Sequence, residues 1–163
     1  MKGLKAKIIT NYGDIEVGFE PYKAPITCFA FIERAENGFY DNTKFHRIMA
    51  NFMIQGGDPN SKDNDPTNDG LGSPLISIPH EFNTTKHMPG VLSMARVSDV
   101  RMGAGSQFFI MHGTAPHLDG QYTAFGKVLK GMDVVNTIAT VQTAEANRPV
   151  KPVIIKTIEI IKQ

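Results

Sequence analysis

The run Phe45–Asp58, FHRIMANFMIQGGD, combines large apolar side chains with the guanidinium of Arg47 and the carboxamide of Gln55. It contains two strand-like pieces and ends in a glycine pair before the aspartate. Two neighbouring strands with this content would place Arg47 and Gln55 beside an apolar surface formed by Phe52 and Met53. The run therefore predicts part of a β-sheet and, on that sheet, a polar group facing an apolar pocket.

Upstream of this run, the chain shows an antiparallel strand pair followed by a helix. Ala6–Thr10 and Asp14–Glu20 have strand patterning, and the turn residues between them predict a hairpin. Pro25 suits a first helical position, and apolar residues at helical spacing follow it until Asn37-Gly38. Phe29 falls off that apolar face, so it is either exposed or covers a barrel edge.

Downstream, short strands continue to the end of the chain. Asp58–Pro74 is a polar, proline- and glycine-rich loop of a length that is usually functional or mobile. Asp133–Ala139 is predicted to form a second helix after a glycine. Many short strands and two helices predict a mainly β protein, a closed barrel with helices at its ends, in a single domain over residues 1–163. The further strands are predicted at Val91–Met94, Gln107–Met111, Tyr122–Leu129 and Val153–Ile161.

Composition narrows the class of protein. The formal net charge is +1 over 163 residues, which gives no basic face for nucleic acid. The single cysteine, Cys28, excludes an internal disulfide and is expected to be buried. We find no apolar run long enough for a signal peptide or a membrane helix, so we expect a cytoplasmic protein with no membrane partner. A monomer is expected.

Metal and cofactor chemistry find little support in the sequence. None of the five histidines has a zinc-ligand spacing. Asp63, Asp65 and Asp69 fall in a loop that fails the EF-hand pattern, and we interpret them as solvated residues. We expect neither a metal nor a cofactor.

Several motifs, taken together and in order, resemble those of cyclophilins, including small single-domain bacterial members. The resemblance extends from about Lys5 to Ile161, which is nearly the whole chain. Several long motifs in register are far more specific than any single short pattern. The matching runs are FHRIMANFMIQGGD at 45–58, GVLSMA at 90–95, GSQFF at 105–109, LDG at 118–120 and FGKV at 125–128.

This resemblance implies an eight-stranded antiparallel barrel capped by two helices, with a groove that binds proline-containing peptides or unfolded chains. It implies peptidyl-prolyl cis–trans isomerase activity that assists protein folding. By motif position, Arg47 and Gln55 take catalytic roles, and Gln55 also holds the peptide backbone together with Gln107. The other implied substrate contacts are the pocket-wall residues Phe52, Met53, Phe109 and Leu118 and the backbone-contact residues Ala95 and Arg96.

Three positions at the pocket rim depart from the common family pattern. His117 stands where many members have tryptophan, Tyr122 where vertebrate-type members often have histidine, and Arg96 where those members often have asparagine. We still place His117 and Tyr122 among the substrate-binding residues. Because the tryptophan is a contact of the drug cyclosporin in the family, we expect cyclosporin to bind with reduced affinity.

Two other functions remain open at this point. The same groove could belong to a binding module that holds proline motifs without needing catalysis. A barrel that binds a small ligand inside is disfavoured, because Phe31, Phe45, Phe108 and Ile110 are expected to fill the interior. Arg47 discriminates between an enzyme and a binder, because a pure binder does not require it.

Overall fold

The computed structural model describes residues 3–162, which form one curled antiparallel sheet and two helices. The first hairpin and the closing strand lie side by side and form the longest ladders of the sheet. The nine strands are β1 (Leu4–Thr10), β2 (Gly13–Phe19), β3 (Thr43–Lys44), β4 (Arg47–Met49), β5 (Met53–Gly56), β6 (Val91–Met94), β7 (Phe108–Met111), β8 (Ala124–Lys130) and β9 (Ile154–Lys162).

The sheet contains nine strands where eight were expected. The difference arises because one chain segment contributes a short strand to each edge of the sheet. The strand order is β3-β9-β1-β2-β8-β6-β7-β5-β4. β3 pairs with β9 at one edge and β4 pairs with β5 at the other. Only Phe45 and His46 separate β3 from β4, so the segment 43–49 connects the two edges of the curled sheet. If it is counted as one bent strand, the expected number of eight is recovered.

The two helices occur where the sequence predicts them. Helix α1 is Pro25–Glu36, begins with proline in its first turn and ends before Gly38, whose φ of 72° favours glycine. Glu81, from a distant loop, accepts hydrogen bonds from the Ile26 and Thr27 amides and so satisfies donors at the start of this helix. Helix α2 is Met132–Ala139.

A cluster of aromatic rings fills the interior between α1 and the sheet. Phe31 lies within 5.1–5.4 Å, ring centre to ring centre, of Tyr40, Phe108 and Phe125. Phe45 packs edge-on against Phe108, and all five rings are buried. Bulky aromatic side chains therefore pack the interior between α1 and the sheet. The prediction that Phe45, Phe108 and Ile110 belong to the core is confirmed.

The remaining sequence expectations differ from the structure only in detail. The strand expected at Gln107 begins at Phe108, and the one expected at Tyr122 begins at Ala124. Phe29 is exposed, which decides the open question about it. Cys28 is buried; its Sγ contacts the Phe125 carbonyl at 3.3 Å, and burial raises the pKa of its thiol to about 12. No helix among residues 3–162 is long and apolar enough to cross a membrane.

Candidate active site

Arg47 and Gln55 face each other on the antiparallel pair β4–β5. They are direct partners in the strand register, and Arg47 Nη1 lies 3.4 Å from Gln55 Oε1. Arg47 Nη2 lies 3.6 Å from the sulfur of Met49. Within residues 3–162 the guanidinium has no carboxylate within ion-pair distance. Its charge is thus held in place by weak contacts only and remains available to a ligand.

The guanidinium borders a small cavity of about 150 Å³ on the surface of the sheet. Met53, Phe109 and Leu118 are buried in its wall, and Phe52 is partly exposed. A hydrogen bond holds the turn that carries Phe52: the backbone amide of Asn51 donates to His112 Nδ1 at 2.8 Å. The cavity is lined by Arg47, Phe52, Met53, Gln55, Ala95, Arg96, Phe109, Leu118 and Tyr122.

Gln107 does not line this cavity but connects it to a second one. Gln55 Nε2 donates to Gln107 Oε1 at 2.9 Å, and Gln107 Nε2 donates to the carbonyls of Gly70 and Gly72 at 2.9 and 3.1 Å. Gly70 and Gly72 belong to the long loop, which together with Gln55, Ala95 and Arg96 lines a larger cavity of about 480 Å³. The loop that the sequence left without a role thus forms a wall of a continuous groove.

Arg96, which lines both cavities, packs against Tyr122, which lines the smaller one. The Arg96 guanidinium lies over the Tyr122 ring at 4.6 Å from its centre. Its Nε donates to the Gln121 carbonyl at 2.8 Å, and its Nη1 donates to the Val97 carbonyl at 3.0 Å. Tyr122 in turn packs edge-on against Phe109. Two of the three unusual rim residues, Arg96 and Tyr122, therefore support the cavity wall.

His117 is the predicted site residue that lies furthest from the cavity. It is exposed and does not line either cavity. Its ring centre lies 6.0 Å from that of Phe52, so it covers one flank of that side chain. The structure therefore places ten of the eleven predicted residues along the two cavities and His117 at the outer rim.

A buried polar network behind Phe109 was missed by the sequence analysis. His87 Nε2 lies 2.9 Å from Ser93 Oγ, and His87 Nδ1 lies 3.1 Å from Asp119 Oδ1. The His87 amide also donates to that carboxylate at 2.7 Å. The ring stacks on Phe109 and thereby joins one cavity wall to the turn that carries Leu118. The only sequence signal was the aspartate of the Leu-Asp-Gly turn.

Two buried histidines, His46 and the His87 of this network, predict a fall in stability between neutral and mildly acidic pH. Burial lowers the pKa of both His46 and His87 below the usual value. A lowered folded-state pKa means that the unfolded chain takes up protons first, so stability is retained above about pH 6.5 and lost below it. The slope is at most about 1.4 kcal/mol per pH unit for each histidine. Chemical denaturation at a series of pH values measures it.

The matched control removes an exposed histidine instead of a buried one. His87→Gln should flatten the pH dependence of the free energy of unfolding, even if the variant is less stable overall. His117→Gln, which removes an exposed histidine, should change the slope much less than His87→Gln does. An unfolding free energy that stays constant from pH 7.5 to 5.5, within about 0.3 kcal/mol, would contradict the prediction.

The described residues contain no group of three or more histidine, cysteine, aspartate or glutamate side chains arranged to hold a metal ion. Asp58, which begins the long loop, is buried and accepts hydrogen bonds from the amides of Asn60 and Gly70. Its role is to fold the loop against the sheet.

Comparison with known proteins places this geometry in a family. Residues 5–160 match the family described as cyclophilin type peptidyl-prolyl cis-trans isomerase/CLD. The chain is 46% identical over 161 residues to peptidyl-prolyl cis-trans isomerase-like 2 of Rhizopus delemar, covering 95% of this chain and 28% of that protein. It is 37% identical to peptidyl-prolyl cis-trans isomerase A of Dickeya dadantii, covering 96% of this chain and 84% of that one.

A solved structure shows the same fold. The cyclophilin type peptidyl-prolyl cis-trans isomerase of Cryptosporidium parvum, determined in the presence of the dipeptide Ala-Pro, superposes with a TM-score of 0.88 at 34% identity. The match covers 98% of this chain and 99% of that one.

The barrel and its arginine-bordered apolar groove define a cyclophilin-like protein. This chain belongs to the cyclophilin-type peptidyl-prolyl cis–trans isomerase family, as its motifs predicted. It spans only about a quarter of the length of the Rhizopus delemar relative, but most of the bacterial one.

Proposed function

We propose that this chain catalyses cis–trans isomerisation of X–Pro peptide bonds in peptides and in folding proteins. The observation that carries the proposal is the position of Arg47, a guanidinium without a carboxylate partner in the described residues, on the rim of an apolar cavity. The cavity has an apolar wall that suits a ring-shaped apolar ligand. The wall consists of Phe52, Met53, Phe109 and Leu118. The relative solved with Ala-Pro supports a proline-containing ligand for the same fold.

The reaction needs no nucleophile, because only a rotation has to be accelerated. A peptide bond resists rotation since nitrogen shares its lone pair with the carbonyl, with a barrier of about 18–20 kcal/mol. In the twisted state the prolyl nitrogen becomes pyramidal and regains that lone pair. A donor aimed at this nitrogen is therefore bound more strongly in the transition state than in the planar ground state. Arg47 can supply that donor with a permanent charge.

The arginine accounts for only part of the expected acceleration. One charge-assisted hydrogen bond contributes about 2–3 kcal/mol, which corresponds to roughly 30- to 160-fold in rate. The remainder comes from binding the twisted conformer, with Phe109 and Met53 gripping the ring. Gln55, held by Gln107 at 2.9 Å, anchors the flanking peptide backbone. His46 needs no general-base role, because no proton is transferred.

Protease-free NMR exchange on an Ala-Pro peptide tests this proposal. Uncatalysed X–Pro exchange takes tens to hundreds of seconds, so exchange cross-peaks on a timescale of seconds require catalysis. We expect such cross-peaks with substoichiometric protein and none with the protein unfolded. If the peptide binds and its exchange stays at the uncatalysed rate, the chain is a proline-binding module instead.

We further propose that cyclosporin inhibits this chain weakly and that His117→Trp strengthens the inhibition. His117 is exposed beside Phe52, so an indole at this position can add apolar contact area without disturbing the core. One added aromatic contact corresponds to about threefold to tenfold in inhibition constant. Competition titrations on the isomerase assay measure this constant. Low-nanomolar inhibition of the unmodified chain, or no gain with tryptophan, would contradict the proposal.

A further inference from the structure

The groove contains a second guanidinium, that of Arg96, which lines both cavities. It is held rigidly, because Nε and Nη1 donate to the carbonyls of Gln121, Val97 and Ser98 at 2.8, 3.0 and 3.3 Å. The Tyr122 ring supports its flat face. A guanidinium ordered in advance loses little side-chain entropy when it binds an anion. In the described part of the chain these contacts use Nε and Nη1 and leave Nη2 without a hydrogen-bond partner.

Among the described residues, the lining of the groove carries two positive charges and no carboxylate. Arg47 and Arg96 line its cavities, and no aspartate or glutamate does so within residues 3–162. Asp99 follows Arg96 closely in sequence, but it is engaged by Arg101, whose Nη2 and Nε lie 2.8 and 3.0 Å from its carboxylate. His80 brings no negative charge to Arg96. Burial and the positive charge of Arg96 both lower the pKa of its imidazole.

We infer that Arg96 makes this chain select proline peptides that carry a carboxylate side chain on the flank that passes between the two cavities. The inference rests on the proposed function and specifies its substrate class. When a peptide places its proline beside Arg47, the flank that continues from the small cavity into the larger one passes Arg96, which lines both cavities. A glutamate or aspartate there meets two positive charges and no negative one, whereas a lysine is repelled.

The size of the preference follows from the partial exposure of Arg96. Partly exposed ion pairs contribute up to about 1 kcal/mol, so glutamate should exceed glutamine by about twofold to fivefold in kcat/KM. Because lysine is also repelled, kcat/KM for the glutamate peptide should exceed that for the lysine peptide by about tenfold. Because salt screens such charges, the ratio should fall toward one between about 0.02 M and about 0.5 M ionic strength.

Two matched series of peptides test the inference. One series places Glu, Gln or Lys two residues before the proline, and the other places them two residues after it. We expect the order Glu, Gln, Lys in kcat/KM for one of the two series. Arg96→Gln should abolish this order, while the control Lys156→Gln, which removes an exposed positive charge on β9 outside both cavities, should preserve it.

The possible failures are distinguishable. Equal kcat/KM for all three residues in both series, or an order that persists in Arg96→Gln, would overturn the inference and leave the proposed function intact. An absence of catalysed exchange with every peptide would contradict the proposed function itself. Should Arg96→Gln fold poorly, the salt dependence of the glutamate-to-lysine ratio in the unmodified chain decides the matter, and a ratio unaffected by salt overturns the inference.

Discussion

Arg47→Ala is expected to lower kcat/KM for an Ala-Pro peptide by roughly 30- to 160-fold, the value of one charge-assisted hydrogen bond to the twisted prolyl nitrogen. The side chain makes only weak contacts within the protein, at 3.4 Å to Gln55 and 3.6 Å to the sulfur of Met49. The free energy of unfolding should therefore change by less than about 0.5 kcal/mol. The loss would then be catalytic and not structural.

Two companion variants sharpen this prediction. Arg47→Lys keeps the charge but loses the rigid fork, so it should recover only part of the activity. Arg101→Ala removes an arginine that pairs with Asp99 outside the groove, and its activity should equal that of the unmodified chain. Full activity of Arg47→Ala, or an equal loss in Arg101→Ala, would refute the role given to Arg47.

Phe108→Ala is expected to have the largest effect on stability, a loss of about 3–5 kcal/mol in the free energy of unfolding. The ring is fully buried and packs against Phe31, Tyr40 and Phe45 at 5.3–6.1 Å between ring centres. Truncation leaves a cavity at the centre of the aromatic cluster, where three rings lose a common neighbour. Urea denaturation followed by circular dichroism measures the loss.

The matched control makes the same substitution on the surface. Phe29 lies on α1 with 58% of its area exposed, so Phe29→Ala should change stability by less than about 0.5 kcal/mol. Phe109, the residue that follows Phe108, is buried in the cavity wall. Phe109→Ala should therefore reduce activity strongly as well as stability. A loss below about 1 kcal/mol in Phe108→Ala would show that the aromatic cluster does not stabilise the fold as described.

Local patterns predicted most of the strands and both helices, because period-two and helical spacings depend on neighbouring residues alone. The alternation in the run 105–109 also separated Phe108, which faces the core, from Phe109, which faces the cavity. The separation of the short strand β3 from β4 was not predicted. It arises where the chain leaves β9 for β5, a change of partner that has no local signal at Phe45 and His46.

The supporting contacts of the site were less predictable than its main residues. Motif positions predicted Arg47, Phe52 and Met53 from one contiguous run, and Phe109 and Leu118 from two later motifs. Arg96 is held by the carbonyl of Gln121, 25 positions away, and His87 by Asp119, 32 positions away. Such pairs come into contact only when the chain folds, so the spacing of residues along the sequence does not predict them. The wall formed by Gly70 and Gly72 depends in the same way on Gln107.

The most direct test of the account measures binding and exchange in one sample. NMR titration of an Ala-Pro peptide gives both its Kd and its catalysed exchange rate, for the unmodified chain and for Arg47→Ala. If Arg47 acts mainly on the twisted state, the exchange rate at saturation should fall by at least about 30-fold while Kd changes by less than about threefold. A Kd that weakens by the full factor, with an unchanged rate at saturation, would show that Arg47 only binds the peptide and would contradict the mechanism.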